Sequence, residues 1–219
     1  MVEDEQSLNW ARASLVLQAR QAGIMHGHIL KALESIPREK FVPEEYIEHA
    51  YRDVSIPLDN HQSMISPIKL AKLLDVLDLG ETPTKVLEVG TGSGFATALL
   101  STLTKRVFTI ERDRHLLRKA TAVFKELGLT NIIENNDDGL LGWSHQAPFP
   151  RILLTGSVKQ LPNALVEQLE EGGTLVAAIG ESKAVQRITR VVKTEGQLDF
   201  TDCGEIRLPA LLSGKSTAF

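Results

Sequence analysis

Three glycines at alternate positions form the most distinctive pattern in the sequence. The turn Gly90-Thr91-Gly92-Ser93-Gly94 follows the apolar run Val86–Val89 and precedes an apolar segment with helical spacing. Glycine allows the backbone to approach a ligand closely, and a helix offers free N–H groups at its start. The order strand, turn, helix therefore predicts a site for a nucleotide-like molecule, although the same glycines also suit a tight turn that binds nothing.

The spacing of these glycines argues against two common ligands. A dinucleotide-binding loop needs a further Gly or Ala three residues after its second glycine, but Phe95 and Thr97 stand at those positions. A phosphate-binding P-loop ends in Gly-Lys-Ser/Thr, and the turn has no such ending. We therefore expect a ligand without a pyrophosphate group.

Two acidic residues follow later apolar runs and could contact such a ligand. Glu111 ends the second run, roughly 20 residues after the turn, where a carboxylate can accept hydrogen bonds from ribose hydroxyls. Asp138 ends the third run and could accept from an adenine amino group. Each also has a plainer explanation, because Glu111 would suit the start of a helix and Asp138 a turn beside Gly139.

The overall composition restricts the partners and cofactors to be expected. With a formal net charge of -4 and a pI near 5.9, the chain shows no basic footprint for nucleic acid. No apolar run approaches the roughly 20 residues that span a bilayer, so no membrane partner is expected. Cys203 is the single cysteine and the six histidines lack a metal-ligand spacing. We expect no metal and a cytoplasmic location.

Alternating apolar runs and helical segments predict the fold that positions these residues. Apolar runs at 86–89, 107–110, 132–133, 152–154 and 175–179 alternate with helical segments at 96–103, 115–127 and 163–169. This alternation is typical of an α/β protein with a Rossmann-like, doubly wound, mostly parallel sheet. Residues 185–193 mix apolar and basic side chains, which predicts a half-exposed edge strand in an antiparallel C-terminal part.

The N-terminal part has a different pattern and is predicted to form a helical cap. An amphipathic helix is expected over 7–22 and a shorter one around 29–36, followed by a proline-broken, apolar stretch. Ser66 and Pro67 suit the N-cap and first position of a further helix. The buried stripe of that helix is expected to be Leu70, Leu73, Leu74 and Leu77.

Several segments resemble known methyltransferases. Residues 88–94 resemble the first motif of class I S-adenosylmethionine-dependent methyltransferases, with Glu111 as the ribose acid and Asp138 as the adenine-side acid. More narrowly, the chain resembles the protein-L-isoaspartate O-methyltransferase family from about residue 12 to 214. The segments that carry this resemblance are 32–43, Ala50-Tyr51-Arg52-Asp53, 139–143, 147–149 and 168–173.

The resemblance implies a cofactor and a division of the chain. It implies S-adenosyl-L-methionine as cofactor and S-adenosyl-L-homocysteine as product. We expect a helical cap with an acceptor loop in residues 1–80, and the cofactor-binding domain in residues 81–219. The implied cofactor-binding residues are Glu88, Gly90, Thr91, Gly92, Gly94, Glu111, Arg112, Asp137, Asp138 and Gly139.

The acceptor loop, defined here as residues 59–67, departs from the family. The family sequence is Gly-x-Gly-Gln-Thr-Ile-Ser-x-Pro, with its serine close to the carboxylate that is methylated. Without gaps, both glycines are missing here, Ser63 replaces the threonine and Ile65 stands at the serine position. Ser63 and Ser66 are therefore the candidate catalytic residues, although Ser66 is better explained as a helix N-cap.

Three further departures point the same way. Pro150 stands where the family usually has aspartate, and Thr155-Gly156-Ser157 replaces Thr-Ala-Ala. In residues 206–211 the family's proline is displaced by one position. The cofactor motifs thus match better than the substrate motifs, which suggests altered acceptor recognition.

The resemblance implies a carboxyl methyltransferase that acts on L-isoaspartyl residues of damaged proteins. Its expected partner is a peptide or protein that bears isoaspartate. A carboxylate acceptor is already ionised at neutral pH, so no strong general base is needed. Two alternatives stay open at this point: a paralogue with a different acceptor, and a module that binds the cofactor or a partner without turnover. The oligomeric state cannot be read from the sequence.

Overall fold

The computed structural model describes residues 5–80 and 85–216. The N-terminal part contains three helices, two longer 3-10 segments and a short hairpin. In chain order these are α1 (Glu5–Gln21), α2 (Gly27–Ser35), 3-10 turns at Arg38–Phe41 and Glu44–His49, β1 (Ile56–Pro57), β2 (Ser63–Met64) and α3 (Pro67–Leu77). Strands β1 and β2 pair antiparallel and carry the acceptor loop between and after them. The helical cap predicted from the periodicity is therefore present.

The remaining part is a seven-stranded sheet with helices between its strands. The elements are β3 (Val86–Val89), α4 (Phe95–Leu103), β4 (Val107–Ile110), α5 (Arg114–Glu126), β5 (Ile132–Asn135), β6 (Phe149–Val158), α6 (Asn163–Glu167), β7 (Leu169–Ile179), β8 (Gln186–Thr194) and β9 (Gln197–Ile206). The strand order is β5-β4-β3-β6-β7-β8-β9, with parallel pairing up to β7 and antiparallel pairing beyond it. The predicted fold class is confirmed.

The order of the strands explains where a ligand can bind. The chain runs outward from β3 to β5, then returns to place β6 on the other side of β3. In open α/β sheets, ligands bind beyond the carboxyl ends of the strands at such a reversal of direction. The glycine turn after β3 lies at this point.

The sheet corrects one sequence prediction. Residues 185–193 were expected to form an edge strand, but β8 lies between β7 and β9, and the edges are β5 and β9. Strand β9 is mostly exposed and its sequence is largely polar, so it offers no apolar run from which a strand could be predicted. The mixture of apolar and basic residues in β8 fits its position beside this polar, exposed strand.

Buried side chains form one cluster on each side of the sheet. The cap contributes to the first cluster, where Leu15 of α1 and Leu33 of α2 belong to the same core as Leu99 of α4 and Val176 of β7. Shared burial of this kind makes the stability of the cap and the sheet interdependent. The predicted boundary between residues 80 and 81 falls where a stretch outside the described residues begins, and the division stays a prediction.

The described part of the chain contains neither a membrane-spanning helix nor a cluster of metal ligands. No helix in it is long and apolar enough to cross a membrane. No group of three or more His, Cys, Asp or Glu side chains in residues 5–80 and 85–216 is arranged to hold a metal ion.

Candidate active site

The three glycines of the turn have different roles. A Cβ atom on Gly94 would lie 2.8 Å from Ala120 and Phe124, so this glycine allows α4 to pack against α5. A Cβ atom on Gly92 would meet nothing nearer than Leu58, at 3.9 Å, although its φ of 53° is left-handed. At Gly92 the backbone therefore faces open space, which a ligand needs in order to approach it closely.

Glu88 lies beneath the turn rather than beside the open space. Its carboxyl group is fully buried, and Oε2 accepts hydrogen bonds from the hydroxyls of Thr97 (2.5 Å) and Thr109 (2.7 Å). Oε1 has no partner. Burial raises the pKa of Glu88 to about 8. Thr109 also hydrogen-bonds the Thr91 hydroxyl at 2.6 Å, so Glu88 and Thr91 support the turn from within the core.

Glu111 connects the end of β4 to the turn. Its Oε2 accepts from the Gly92 N–H at 2.8 Å, and its Oε1 accepts from the Asp113 N–H at 2.9 Å. Burial raises the pKa of Glu111, and these two N–H groups oppose the effect. A carboxylate has about four acceptor positions, so two remain free for ligand hydroxyls. Glu111 can thus hold Gly92 and bind a diol at once.

A concave pocket opens beside Gly92 and Glu111, with both polar and apolar residues in its walls. Among the cofactor residues implied by the resemblance, Gly90, Gly92, Glu111, Arg112 and Gly139 line it. The sequence did not single out Asn60, whose side-chain amide donates to Asp113 Oδ2 at 2.5 Å; both of these residues also line the pocket.

Residues 209–216, here called the C-terminal strap, form another wall of the pocket. The Gly214 N–H donates to Asp138 Oδ2 at 2.6 Å, and Arg112 Nε donates to the Gly214 carbonyl at 2.7 Å. Lys215 Nζ lies 3.4 Å from Asp137. Three predicted cofactor residues, Arg112, Asp137 and Asp138, therefore hold the strap in place. Asp138 also accepts from the Leu140 N–H at 3.0 Å.

Leu211 of the strap lies close to the glycine turn. A Cβ atom on Gly90 would lie 3.0 Å from Leu211 Cδ2, and one on Gly156 would lie 2.8 Å from Leu211 Cγ. Thr155, which precedes Gly156, donates its hydroxyl to the Gly90 carbonyl at 2.5 Å. The strap and the end of β6 thus pack directly on the turn.

A second, smaller pocket adjoins the first. Ser63, Gly90, Gly92 and Thr155 line both pockets. The remaining walls of the smaller pocket are mainly apolar: Met64, Ile65, Leu70, Thr91, Ser93, Phe95 and Ala96. Two separate molecules could therefore meet at these four shared residues.

Comparison with known proteins decides between the classes of methyltransferase. The family description protein-L-isoaspartate(D-aspartate) O-methyltransferase matches residues 11–216. A protein-L-isoaspartate O-methyltransferase of Azorhizobium caulinodans is 38% identical over 211 residues, which cover 96% of this chain and 97% of that protein. The chain belongs to the protein-L-isoaspartate O-methyltransferase family. The sequence resemblance, the enzyme class and S-adenosylmethionine as the cofactor of this family are confirmed.

Solved structures agree on the fold of this isoaspartate methyltransferase family. One structure of a protein-L-isoaspartate O-methyltransferase matches with a TM-score of 0.82 and 26% identity, covering 91% of this chain and 65% of that chain. A Plasmodium falciparum protein described as a β-aspartate methyltransferase, solved in complex with S-adenosyl-L-homocysteine, matches with a TM-score of 0.78 and 20% identity. This second match covers 91% of this chain and 97% of that chain.

The acceptor loop keeps a turn without the two family glycines. Asn60 and His61 have φ values of 56° and 58°, in the left-handed region that costs most residues energy. Contacts with α5 flank this turn, because Asp59 lies 2.6 Å from Lys119 and 3.3 Å from His115. The contact of Asn60 with Asp113 fixes the loop further.

The structure separates the two serines of the loop. Ser63 lines both pockets, whereas Ser66 lines neither, and its hydroxyl is buried without a hydrogen-bond partner. Ile65, at the position of the family serine, lines the smaller pocket. Ile65, the residue that the ungapped alignment places at the family's serine position, is thus the one that faces the smaller pocket.

The predicted capping role of the Ser66 side chain was wrong. Ser66 does occupy the N-cap position of α3, but its side chain makes no capping hydrogen bond. Asp53 Oδ1 instead accepts from the Ile68 N–H at 3.0 Å. An acidic side chain from an earlier turn therefore satisfies the helix start, a contact that local sequence cannot reveal.

Proposed function

We propose that this protein is a cytoplasmic, S-adenosylmethionine-dependent methyltransferase that esterifies the carboxylate of L-isoaspartyl residues in peptides or proteins. The observation that supports it most directly is the junction of the two pockets at Ser63, Gly90, Gly92 and Thr155. A donor in the larger pocket and an acceptor in the smaller one would meet there. In this proposal the cap, residues 1–80, carries the acceptor loop and residues 81–219 bind the cofactor.

The larger pocket fits the cofactor on three counts. Gly92 leaves space and exposed backbone where the methionine portion would approach. Glu111 has acceptor positions left for the ribose hydroxyls. Gly139 and Leu140 line the side on which the adenine would lie, next to the anchored Asp138.

The chemistry needs alignment more than it needs acid or base catalysis. When bound, S-adenosylmethionine would supply an electrophilic methyl carbon on a sulfonium, and the acceptor carboxylate would take this methyl group as the carbon–sulfur bond breaks, which would neutralise both charges. The protein must therefore hold the acceptor in line and exclude water. Leu58 and Leu211 in the larger pocket and Ile65 in the smaller one supply apolar walls.

One observation favours a second candidate function. The acceptor side offers Ile65 and Met64 where the family has serine and isoleucine, so the only loop hydroxyl lining the smaller pocket is that of Ser63. A paralogue that methylates a different, less polar acceptor would have such a lining.

A paired experiment tests both parts of the proposal. We expect S-adenosyl-L-homocysteine to bind in titration calorimetry, and methyl transfer to an isoaspartyl peptide but not to the matched aspartyl peptide. Gly92→Val should abolish binding because its side chain would enter the pocket. Gly23→Val is the matched control, since Gly23 also has a positive φ and open surroundings but lies at the end of α1. Cofactor binding without transfer to the isoaspartyl peptide would favour the second candidate, and folded protein that binds no cofactor would refute both.

A further inference from the structure

Arg38 is the largest fully buried side chain in the described part of the chain. No carboxylate oxygen among the described residues lies within 4 Å of its guanidinium, and its Nε has no partner. Burying an unpaired charge is costly, so such a group is expected only where its contacts compensate. Burial lowers the pKa of Arg38 to about 10 against the opposing effect of the Asp53 charge, which still leaves the guanidinium positive at neutral pH.

The contacts of Arg38 converge on the acceptor side of the active site. Nη2 donates to the Ile65 carbonyl at 3.3 Å, and the guanidinium carbon lies 5.4 Å from the centre of the Phe95 ring. Ile65 and Phe95 both line the smaller pocket. Nη1 donates to the carbonyl of Ala50 and so ties the same guanidinium to the cap.

The segment that holds Arg38 also holds the start of α3. Ala50 accepts from Arg38, and three residues later Asp53 accepts from the Ile68 N–H. The short stretch from Ile65 to Ile68 is therefore held at its first residue by Arg38 and at its last by Asp53. These contacts give a role to two segments, 37–41 and 50–53, that the proposed mechanism does not otherwise use.

We propose that Arg38 is a positioning residue for the acceptor: its guanidinium fixes the backbone of Ile65 at the point where Ile65 lines the smaller pocket. This inference rests on the proposed function for the nature of the acceptor. The guanidinium acts through the hydrogen bond from Nη2 to the Ile65 carbonyl. It does not contact the larger pocket, so cofactor affinity should not depend on it.

The test compares Arg38→Met, which removes the charge and the donors, with Arg38→Lys, which keeps the charge without the planar fork. Well below the Tm of each variant, we expect the KM for an isoaspartyl peptide to rise about 10- to 100-fold in Arg38→Met, the effect of losing a hydrogen bond from a charged group. Arg38→Lys should restore part of this loss. The Kd for S-adenosyl-L-homocysteine should stay within about twofold of wild type.

Leu15→Ala is the matched control, because it removes a fully buried cap side chain from the same core. It should lower the Tm while leaving the KM unchanged. A wild-type KM in Arg38→Met, or an equal rise in Leu15→Ala, would show that Arg38 only stabilises the cap.

Amide hydrogen exchange tests the positioning role without catalysis. The amides of residues 63–66 should exchange at least about tenfold faster in Arg38→Met and Arg38→Lys than in Leu15→Ala. Unchanged exchange in both Arg38 variants would overturn the proposal. If wild type binds cofactor yet fails to methylate the isoaspartyl peptide, the proposed acceptor is wrong, and the exchange result alone decides the role of Arg38.

Discussion

Glu88→Gln should change how the stability of the protein depends on pH. Burial raises the pKa of Glu88 from its ordinary 4.5 to about 8, chiefly because the carboxyl group is desolvated. One pKa unit corresponds to about 1.4 kcal/mol, so ionising this side chain costs the folded state at most about 5 kcal/mol. Glutamine would keep an acceptor for Thr97 and Thr109 and could never ionise.

The direction of this pH dependence follows from proton binding to Glu88 in the folded and unfolded states. The unfolded chain releases the Glu88 proton from about pH 4.5 upward, whereas the folded protein keeps it up to about pH 8. The free energy of unfolding should therefore fall between these values and level off above them. Glu88→Gln and wild type should have similar stability near pH 4.5, within about 1 kcal/mol for one changed polar group. The variant should be more stable at pH 9 by up to about 5 kcal/mol.

Urea unfolding at pH 5, 7 and 9 measures this difference directly. Glu111 is present in both proteins, so its own raised pKa largely cancels when the two curves are subtracted. Glu45→Gln changes an exposed carboxyl group and should give a curve parallel to wild type. If the Glu88→Gln curve were also parallel, or if the variant were the less stable protein at pH 9, the buried neutral acid described here would be wrong.

Four further predictions follow from the site and the cap. Glu111→Ala should weaken S-adenosyl-L-homocysteine binding by about 1 to 3 kcal/mol, the range for hydrogen bonds to a charged group; calorimetry showing an unchanged Kd would contradict its ribose role. Ile65→Ser should raise isoaspartyl turnover about 10- to 100-fold by restoring a polar contact. Ser66→Ala should leave both turnover and Tm close to wild type, because its hydroxyl has no partner to lose; a loss of turnover in Ser66→Ala would instead assign the acceptor contact to Ser66. Residues 81–219 expressed alone should be unstable because they lose the shared core with the cap; a soluble fragment with a cooperative melting transition would refute this.

The parts of the site that could be predicted are those set by local spacing. The glycine turn and Glu111 lie within one strand-turn-helix-strand unit, where periodicity fixes the position of each residue. The acceptor loop could be located only through its resemblance to a family, and the direction of Ile65 needed the structure. Ser66 shows the limit of local rules. It was correctly placed at the N-cap of α3, but the side-chain hydrogen bond expected from that position is absent.

The remaining parts depend on contacts between residues far apart in the chain. Asp138 meets Gly214 across 76 positions, and Arg112 meets the same residue across 102. Arg38 lies in a polar segment, where an arginine is expected at the surface, yet the fold buries it completely. The periodicity of a sequence carries no information on such contacts. The position of the strap and the burial of Arg38 were therefore not predicted.

The close packing of Leu211 on Gly156 restricts which residues this protein can carry at position 156. A methyl group there would lie 2.8 Å from Leu211 and 2.9 Å from the Pro209 carbonyl. Overpacking of this kind typically costs about 1 to 3 kcal/mol. With the strap in its present place, alanine at position 156 is therefore disfavoured unless residue 211 becomes smaller or the strap moves.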